Sequence, residues 1–307
     1  MTEKKPETDK AQRPPGFGRA LAVFTVDVED WFQVSAFDAH VSRENWENMP
    51  SRVERNTDRL LELCAETGTR GTFFTLGWVA ERFPALVRRI AAAGHEVASH
   101  GYWHKRITGI SEAEFREDVK RARAVLEDAS GMPVRGYRAP SFSLTDQVIW
   151  AARVLVEEGY EYDSSRFPIA RRGYGTASGQ REPHVLETPA GGLREYPPAV
   201  WPVAGLQLPV AGGGWFRQFP YALIASGLKA VLGSGQPAVF YIHPWELDPG
   251  QPRLPVGMLT RVRHYRGLRV SERRLRRLLG GLSFVSFSDL ERTGEVNVSG
   301  PELSVGL

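Results

Sequence analysis

Three carboxylates fall within four positions in Asp27-Val28-Glu29-Asp30, with Val23, Phe24 and Val26 before them and Trp31 and Phe32 after. Like charges this close repel unless a cation or a shared proton relieves them, and an apolar frame opposes full solvation. The stretch points to metal binding or acid–base work. A second group is Ser99-His100-Gly101-Tyr102-Trp103-His104. Histidines at i and i+4 can face one side of a helical turn and offer two imidazole nitrogens to one metal. One carboxylate with two histidines makes a facial triad that leaves positions for water and substrate; zinc, cobalt, iron, manganese and nickel all suit it. The single cysteine, Cys64, excludes an internal disulfide and a cysteine-built metal site, and reads as a buried hydrophobe on a helix. Arg138, in Gly136-Tyr137-Arg138-Ala139-Pro140-Ser141, can orient a carboxylate through a bidentate contact. His243, in Tyr241-Ile242-His243-Pro244-Trp245-Glu246, ends an apolar run and becomes a candidate acid in the company of the others.

The elements that must position these groups alternate. Strands are predicted at Ala20–Asp27, Gly71–Leu76, His95–Ser99, Val134–Arg138, Ala238–His243 and Phe284–Phe287. Helices are predicted at Ser51–Glu66, Pro84–Ala93, Glu112–Ala129, Asp146–Glu158 (capped by Thr145), Tyr221–Leu232 and Glu272–Leu279. Ser111 and Glu114 supply a capping box for the third helix, whose inner stripe is Phe115, Val119, Ala122 and Leu126. Repeated strand–helix units imply an α/β fold with a parallel sheet, whose functional residues sit where strands end. Asp27, His100, Arg138 and His243 all do. Residues 165–217, rich in Gly, Pro and Arg, read as an excursion of loops and short strands.

Composition narrows the class. The 307 residues are 42% hydrophobic and 24% charged, enough to bury a sizeable core. A net charge of +3 is too weak to imply a nucleic-acid partner. No apolar run reaches the ~18–20 residues of a membrane span, and Met1–Gly18 lacks the apolar centre of a secretion signal. The expectation is a cytoplasmic protein: a disordered lead-in at 1–18, one catalytic domain at 19–292, and a flexible tail at 293–307.

In this order, TVDVEDW, SHGYWH, YRAPS and YIHPWE resemble the motifs of the NodB-like polysaccharide deacetylases, carbohydrate esterase family four. Gly212-Gly213-Gly214-Trp215-Phe216-Arg217 and Arg263-His264-Tyr265 resemble the branch associated with exosortase and exopolysaccharide loci. The resemblance implies a distorted, incomplete (β/α) barrel that removes N-acetyl groups from polymeric amino sugars, free or lipid-linked. Asp27 then matches the catalytic base, Arg138 the residue that holds it, and His243 the general acid. His100 and His104 match the metal ligands, with zinc the first candidate metal. Val28 stands where the family commonly has a second aspartate, so the metal carboxylate is Glu29 or Asp30; acid–x–acid spacing favours Glu29. Asp163 corresponds to a family aspartate that tunes the arginine. Trp31, Trp103, Tyr137, Pro140, Trp215 and Trp245 are candidates for contact with the sugar. Two other readings compete: a metal-dependent amidase acting on small cyclic amides, and a carbohydrate-binding relative without activity.

Arg261 to Gly280 holds eight arginines and one glutamate, so the remainder of the chain sums to about −4. The bland expectation is a solvated outer face of the Glu272–Leu279 helix. The sharper one is peripheral contact with an anionic membrane through Arg273, Arg274, Arg276 and Arg277.

Overall fold

The computed structural model describes residues 21–169, 175–176 and 179–294; the expected lead-in at 1–18 and the tail beyond residue 294 lie outside them. Strands β1 (Ala22–Val28), β2 (Thr72–Thr75), β3 (Glu96–Ser99), β4 (Gly136–Tyr137) and β5 (Tyr162–Asp163) lie side by side and parallel. Helices α1 (Val53–Thr67), α2 (Gly77–Arg82), α3 (Pro84–Ala92), α4 (Glu112–Ser130) and α5 (Trp150–Glu157) connect them. The antiparallel pair β6 (His184–Thr188) and β7 (Gly191–Glu195) extends the sheet, with β7 parallel to β5. A separate hairpin, β8 (Val200–Val203) and β9 (Leu206–Pro209), follows. Helices α6 (Gly213–Gln218) and α7 (Tyr221–Gly233) then lead into β10 (Ala238–Ile242). The chain ends through α8 (Met258–Tyr265), α9 (Leu268–Leu279), β11 (Phe284–Val285) and α10 (Phe287–Thr293).

Strand β10 returns to β1 with Ala238 opposite Ala22 and Ile242 opposite Val26. The sheet therefore runs β10-β1-β2-β3-β4-β5-β7-β6, with β11 beside the start of β1. Its end strands β10 and β6 do not pair with each other, so the expected (β/α) barrel is incomplete. All seven residues of β1 are buried, as a central parallel strand covered on both faces requires. The capping box of α4 is formed: Glu114 N–H donates to Ser111 Oγ at 3.3 Å, and Ser111 N–H donates to Glu114 Oε2 at 2.9 Å. Phe115, Val119, Ala122 and Leu126 are buried beneath it. Cys64 is buried, and desolvation pushes its thiol up to about 12.

Several boundaries differ from the sequence reading. The Thr145 side chain makes no cap hydrogen bond; Asp146–Val148 form a 3-10 turn and α5 begins only at Trp150. Phe287 opens a helix instead of closing a strand, because Ser286 Oγ accepts Asp289 N–H at 3.1 Å. Helix α9 begins at Leu268; Arg269, Arg273, Arg276 and Arg277 are exposed along it, and three of its arginines also have partners within the protein. Arg274 donates to the carbonyls of Phe216, Arg217 and Phe219. Arg276 pairs with Glu66 and Glu272, and the Arg277 guanidinium lies 4.3 Å from the Tyr221 ring centre.

The segment read as an excursion contains a close backbone approach. Gly212 bridges to Tyr241 of β10 with φ 127° and ψ −148°, and a Cβ there would lie 1.9 Å from the Tyr241 carbonyl oxygen. Only glycine occupies that backbone region without strain.

Candidate active site

The ends of β1, β3, β4 and β10 deliver Asp27, His100, Arg138 and His243 to one place. Asp27 and Glu29 approach each other through a turn, because Glu29 N–H donates to Asp27 O at 3.0 Å just past the strand. Asp30 points elsewhere. Its Oδ2 accepts from Ser51 Oγ (2.6 Å), Arg52 N–H (2.8 Å) and Val53 N–H (3.2 Å), anchoring the start of α1. That leaves Glu29 as the acid beside the histidines, with Asp30 turned away to the start of α1.

The two histidines do not share a helical turn, as their spacing suggested. Residues 100–104 form a loop with Gly101 at φ 73° and His104 at φ 51°. Asp118 of α4 holds this loop by accepting Tyr102 N–H at 2.7 Å and Trp103 N–H at 3.1 Å. Arg43 donates to the Trp103 and His104 carbonyls at 2.7 and 3.0 Å. Donor atoms of Glu29, His100 and His104 consequently all lie within 4.8 Å of one another, and all three residues are buried.

The local chemistry of these groups fits a divalent cation. His100 Nδ1 lies 2.8 Å from the Arg138 carbonyl oxygen, which can only accept; Nδ1 therefore carries the proton and Nε2 keeps its lone pair. Burial lowers His100 to about 4, so it is neutral at pH 7. Burial pushes the Glu29 carboxyl up, but the imidazoles of His104, His243 and His100 outweigh it and bring it down to about 2. Glu29 Oε2 faces His104 Nε2 at 2.8 Å, and Trp245 Nε1 donates to Glu29 Oε1 at 3.1 Å.

An acid–base pair lies beside the triad. Arg138 is fully buried and donates to Asp27 Oδ1 and Thr25 Oγ1, each at 2.7 Å, to Ser164 O at 3.0 Å and to Ser164 Oγ at 2.9 Å. Its contact with Asp27 uses one nitrogen and is not the bidentate fork expected. Asp163 bonds to Ser165 Oγ and N–H, so Ser164, not Asp163, takes the guanidinium. His243 Nε2 lies 3.8 Å from Asp27 Oδ2 and 3.6 Å from Glu29 Oε1. Its Nδ1 lies 2.6 Å from Glu246 Oε1, and Glu246 is in turn paired with buried Arg217 at 2.5 Å. Burial would lower the imidazole, but the hydrogen bond to Glu246 and the charges of Glu29, Glu246 and Asp27 raise it to about 9. His243 thus carries a proton at neutral pH. The sequence reading missed Glu246 and Arg217; the i,i+3 spacing within HPWE was the available signal for the former.

The aromatic candidates divide. Trp31 is buried and donates to Pro50 O at 3.1 Å, and Tyr137 is buried against Phe115 and Tyr160; both are core residues, not sugar contacts. Trp245 is 5% exposed and sandwiched between His243 and His264, where it fixes Glu29 instead of offering a face. Pro140 is buried too. Trp103, against Trp46 and Tyr102, and Trp215, against Phe219, remain partly exposed.

Comparison with known proteins adds two adjoining matches: a polysaccharide deacetylase family over residues 37–160 and a domain of unknown function (DUF3473) over residues 164–292. His100, His104 and Arg138 fall in the first segment, His243 and Glu246 in the second. A peptidoglycan-N-acetylglucosamine deacetylase from Bacillus cereus is 32% identical over 96 residues, covering 31% of this chain and 35% of that protein. A chitooligosaccharide deacetylase from Sinorhizobium fredii is 34% identical over 94 residues, covering 30% of this chain and 44% of that protein. The match thus spans less than half the length of these relatives. A Mycobacterium smegmatis structure assigned as a polysaccharide deacetylase superposes with a TM-score of 0.65 at 21% identity, covering 96% of this chain and 97% of the other. At that identity the likeness establishes the fold.

Proposed function

We propose that the chain, whose residues 37–160 match a polysaccharide deacetylase family and whose motifs resemble the NodB-like members of carbohydrate esterase family four, removes N-acetyl groups from the amino sugars of a polysaccharide by metal-dependent hydrolysis, releasing acetate. The observation that carries this reading is the convergence of Glu29, His100 and His104 within 4.8 Å, beside Asp27 and His243, which stand 3.8 Å apart. Both matched segments act as one catalytic unit, because the acid comes from the second.

Glu29, His100 and His104 would hold the cation, zinc first among the candidates, and it would supply Lewis acidity, acidifying a water and polarising the acetyl carbonyl. Asp27, held by Arg138, takes a proton from the attacking water. His243 gives its proton to the departing sugar nitrogen, and Glu246 steadies the resulting imidazole through Nδ1. Arg138, itself held by Thr25 Oγ1 and Ser164, keeps the Asp27 carboxylate aimed at the site while it changes charge. The substrate we assign is an N-acetylated exopolysaccharide. The resemblance of the GGGWFR and RHY segments to the exopolysaccharide-associated branch supports that choice.

Acetate release decides between outcomes, measured on chitooligosaccharide, peptidoglycan fragments and N-acetylated exopolysaccharide with metal content determined in parallel. His104→Ala should lose both metal and turnover. Asp27→Asn should keep the metal and lose ~10²–10⁴-fold in rate. A metal-loaded wild-type protein that releases acetate from none of the three polymers sinks the proposal.

A further inference from the structure

Exposed apolar area is concentrated on one short helix. Five large hydrophobic side chains stand exposed among the described residues, and three of them, Met258 (76%), Leu259 (62%) and Val262 (39%), belong to α8. At i, i+1 and i+4 they share one side of a helix that turns about 100° per residue. Scattered single hydrophobes need no explanation, but a contiguous apolar face does.

The other side of α8 is committed inward. The His264 ring stacks 4.2 Å from Trp245, and its Nε2 pairs with Gln251 Oε1 at 2.8 Å. The carbonyls of Arg263, His264 and Arg266 accept from the Arg217 guanidinium that holds Glu246. The exposed face therefore rides on the block of residues that carries His243.

Charge singles out the partner. No acidic residue occurs between Asp248 and Glu272, whereas Arg253, Arg261, Arg263, Arg266 and Arg269 all fall there and are exposed. Among the described residues, none of the five has a carboxylate partner. We infer that this face docks on an anionic lipid bilayer, with Met258, Leu259 and Val262 entering the boundary between headgroups and acyl chains and the arginines meeting lipid phosphates. An acidic polysaccharide would satisfy the arginines but offers nothing to three aliphatic side chains. The docking face is α8 and its flanks, not the Arg273–Arg277 stretch, where most guanidinium groups are engaged internally. The inference stands apart from the deacetylase reading, because docking requires no turnover.

The test is co-sedimentation of the full chain with phosphatidylcholine vesicles, with and without phosphatidylglycerol, at low and high salt. Binding should require phosphatidylglycerol and weaken as salt screens the arginines. The double variant Met258→Ser/Leu259→Ser should lower it by about tenfold or more, and Arg261→Gln/Arg263→Gln/Arg266→Gln should do likewise. All five side chains are exposed, so thermal melts of both variants should match the wild type. Binding to neither vesicle, or to both equally, overturns the proposal. Anionic binding that survives the serine substitutions overturns it as well, and reassigns the arginines to a general polyanion contact such as an acidic polysaccharide or protein.

Discussion

Removing the Arg138 guanidinium while leaving Asp27 in place should be among the most damaging single changes in the molecule. Both side chains are buried, at 0% and 2% exposure, and meet at 2.7 Å. The two hydroxyl partners of Arg138 keep bonds of their own: Thr25 Oγ1 donates to Phe240 O at 2.9 Å and Ser164 Oγ donates to Tyr196 O at 2.7 Å. What Arg138→Met strands is chiefly the Asp27 carboxylate, and breaking a buried pair on one side costs about 3–5 kcal/mol. Loss of the guanidinium stacked 4.2 Å from the Phe74 ring centre adds to this. Against a typical total stability of about 5–15 kcal/mol, that is a large fraction. Neutralising the carboxylate in the same chain should recover part of the loss. The double variant Asp27→Asn/Arg138→Met should show a coupling of about 2–3 kcal/mol in urea unfolding, with chelator present so that no metal contributes. Arg138→Lys should retain more stability than Arg138→Met yet turn over slowly, since a point charge cannot hold Asp27, Thr25 and Ser164 together. If the double variant equals the sum of the single ones within about 0.5 kcal/mol, the pair is not coupled and this account of how Asp27 is held is wrong.

Three further expectations follow from the same geometry. Glu246→Gln should lower kcat by ~10²-fold in protein that remains folded, because Nδ1 of His243 loses its charged partner; kcat within a few-fold of wild type would remove Glu246 from the mechanism. Gly212→Ala forces a Cβ into the Tyr241 carbonyl in a backbone region that itself costs about 1–3 kcal/mol, so an unchanged urea midpoint would contradict the β10 register described above. Burial and the nearby Arg70 charge lower His95 from 6.5 to about 4, and its Nδ1 accepts Gly71 N–H at 3.2 Å. Between these values the unfolded chain binds the extra proton, so stability should be full above about 6.5 and fall, by on the order of 3 kcal/mol in all, as pH drops toward 4. His95→Gln should flatten that slope, and an undiminished slope would assign the acid sensitivity to other groups.

The sequence alone determined the α/β class, because buried parallel strands and one-sided helices leave different apolar periods. It also placed Asp27, His100, Arg138 and His243 at or just past the ends of strands, because position along a chain is a local property. The α4 cap was legible for the same reason, since Ser111 and Glu114 are three residues apart. Tertiary structure alone decided which acid faces the histidines. Glu29 and Asp30 are adjacent and chemically alike; only the packing of α1 against the end of β1 draws Asp30 away to Ser51, Arg52 and Val53. It decided that the His100–His104 spacing works through a loop pinned by Asp118 and Arg43. It decided that Trp31, Tyr137 and Trp245 are structural while Trp103 and Trp215 stay partly exposed, since an aromatic residue suits a core and a cleft equally well. It also divided the arginines after residue 260, seating Arg274 on the end of α6 and leaving Arg261 and Arg263 of α8 without a carboxylate partner among the described residues. Such choices depend on which distant carbonyl or carboxylate lies across the packed interface, and no local pattern of residues carries that information.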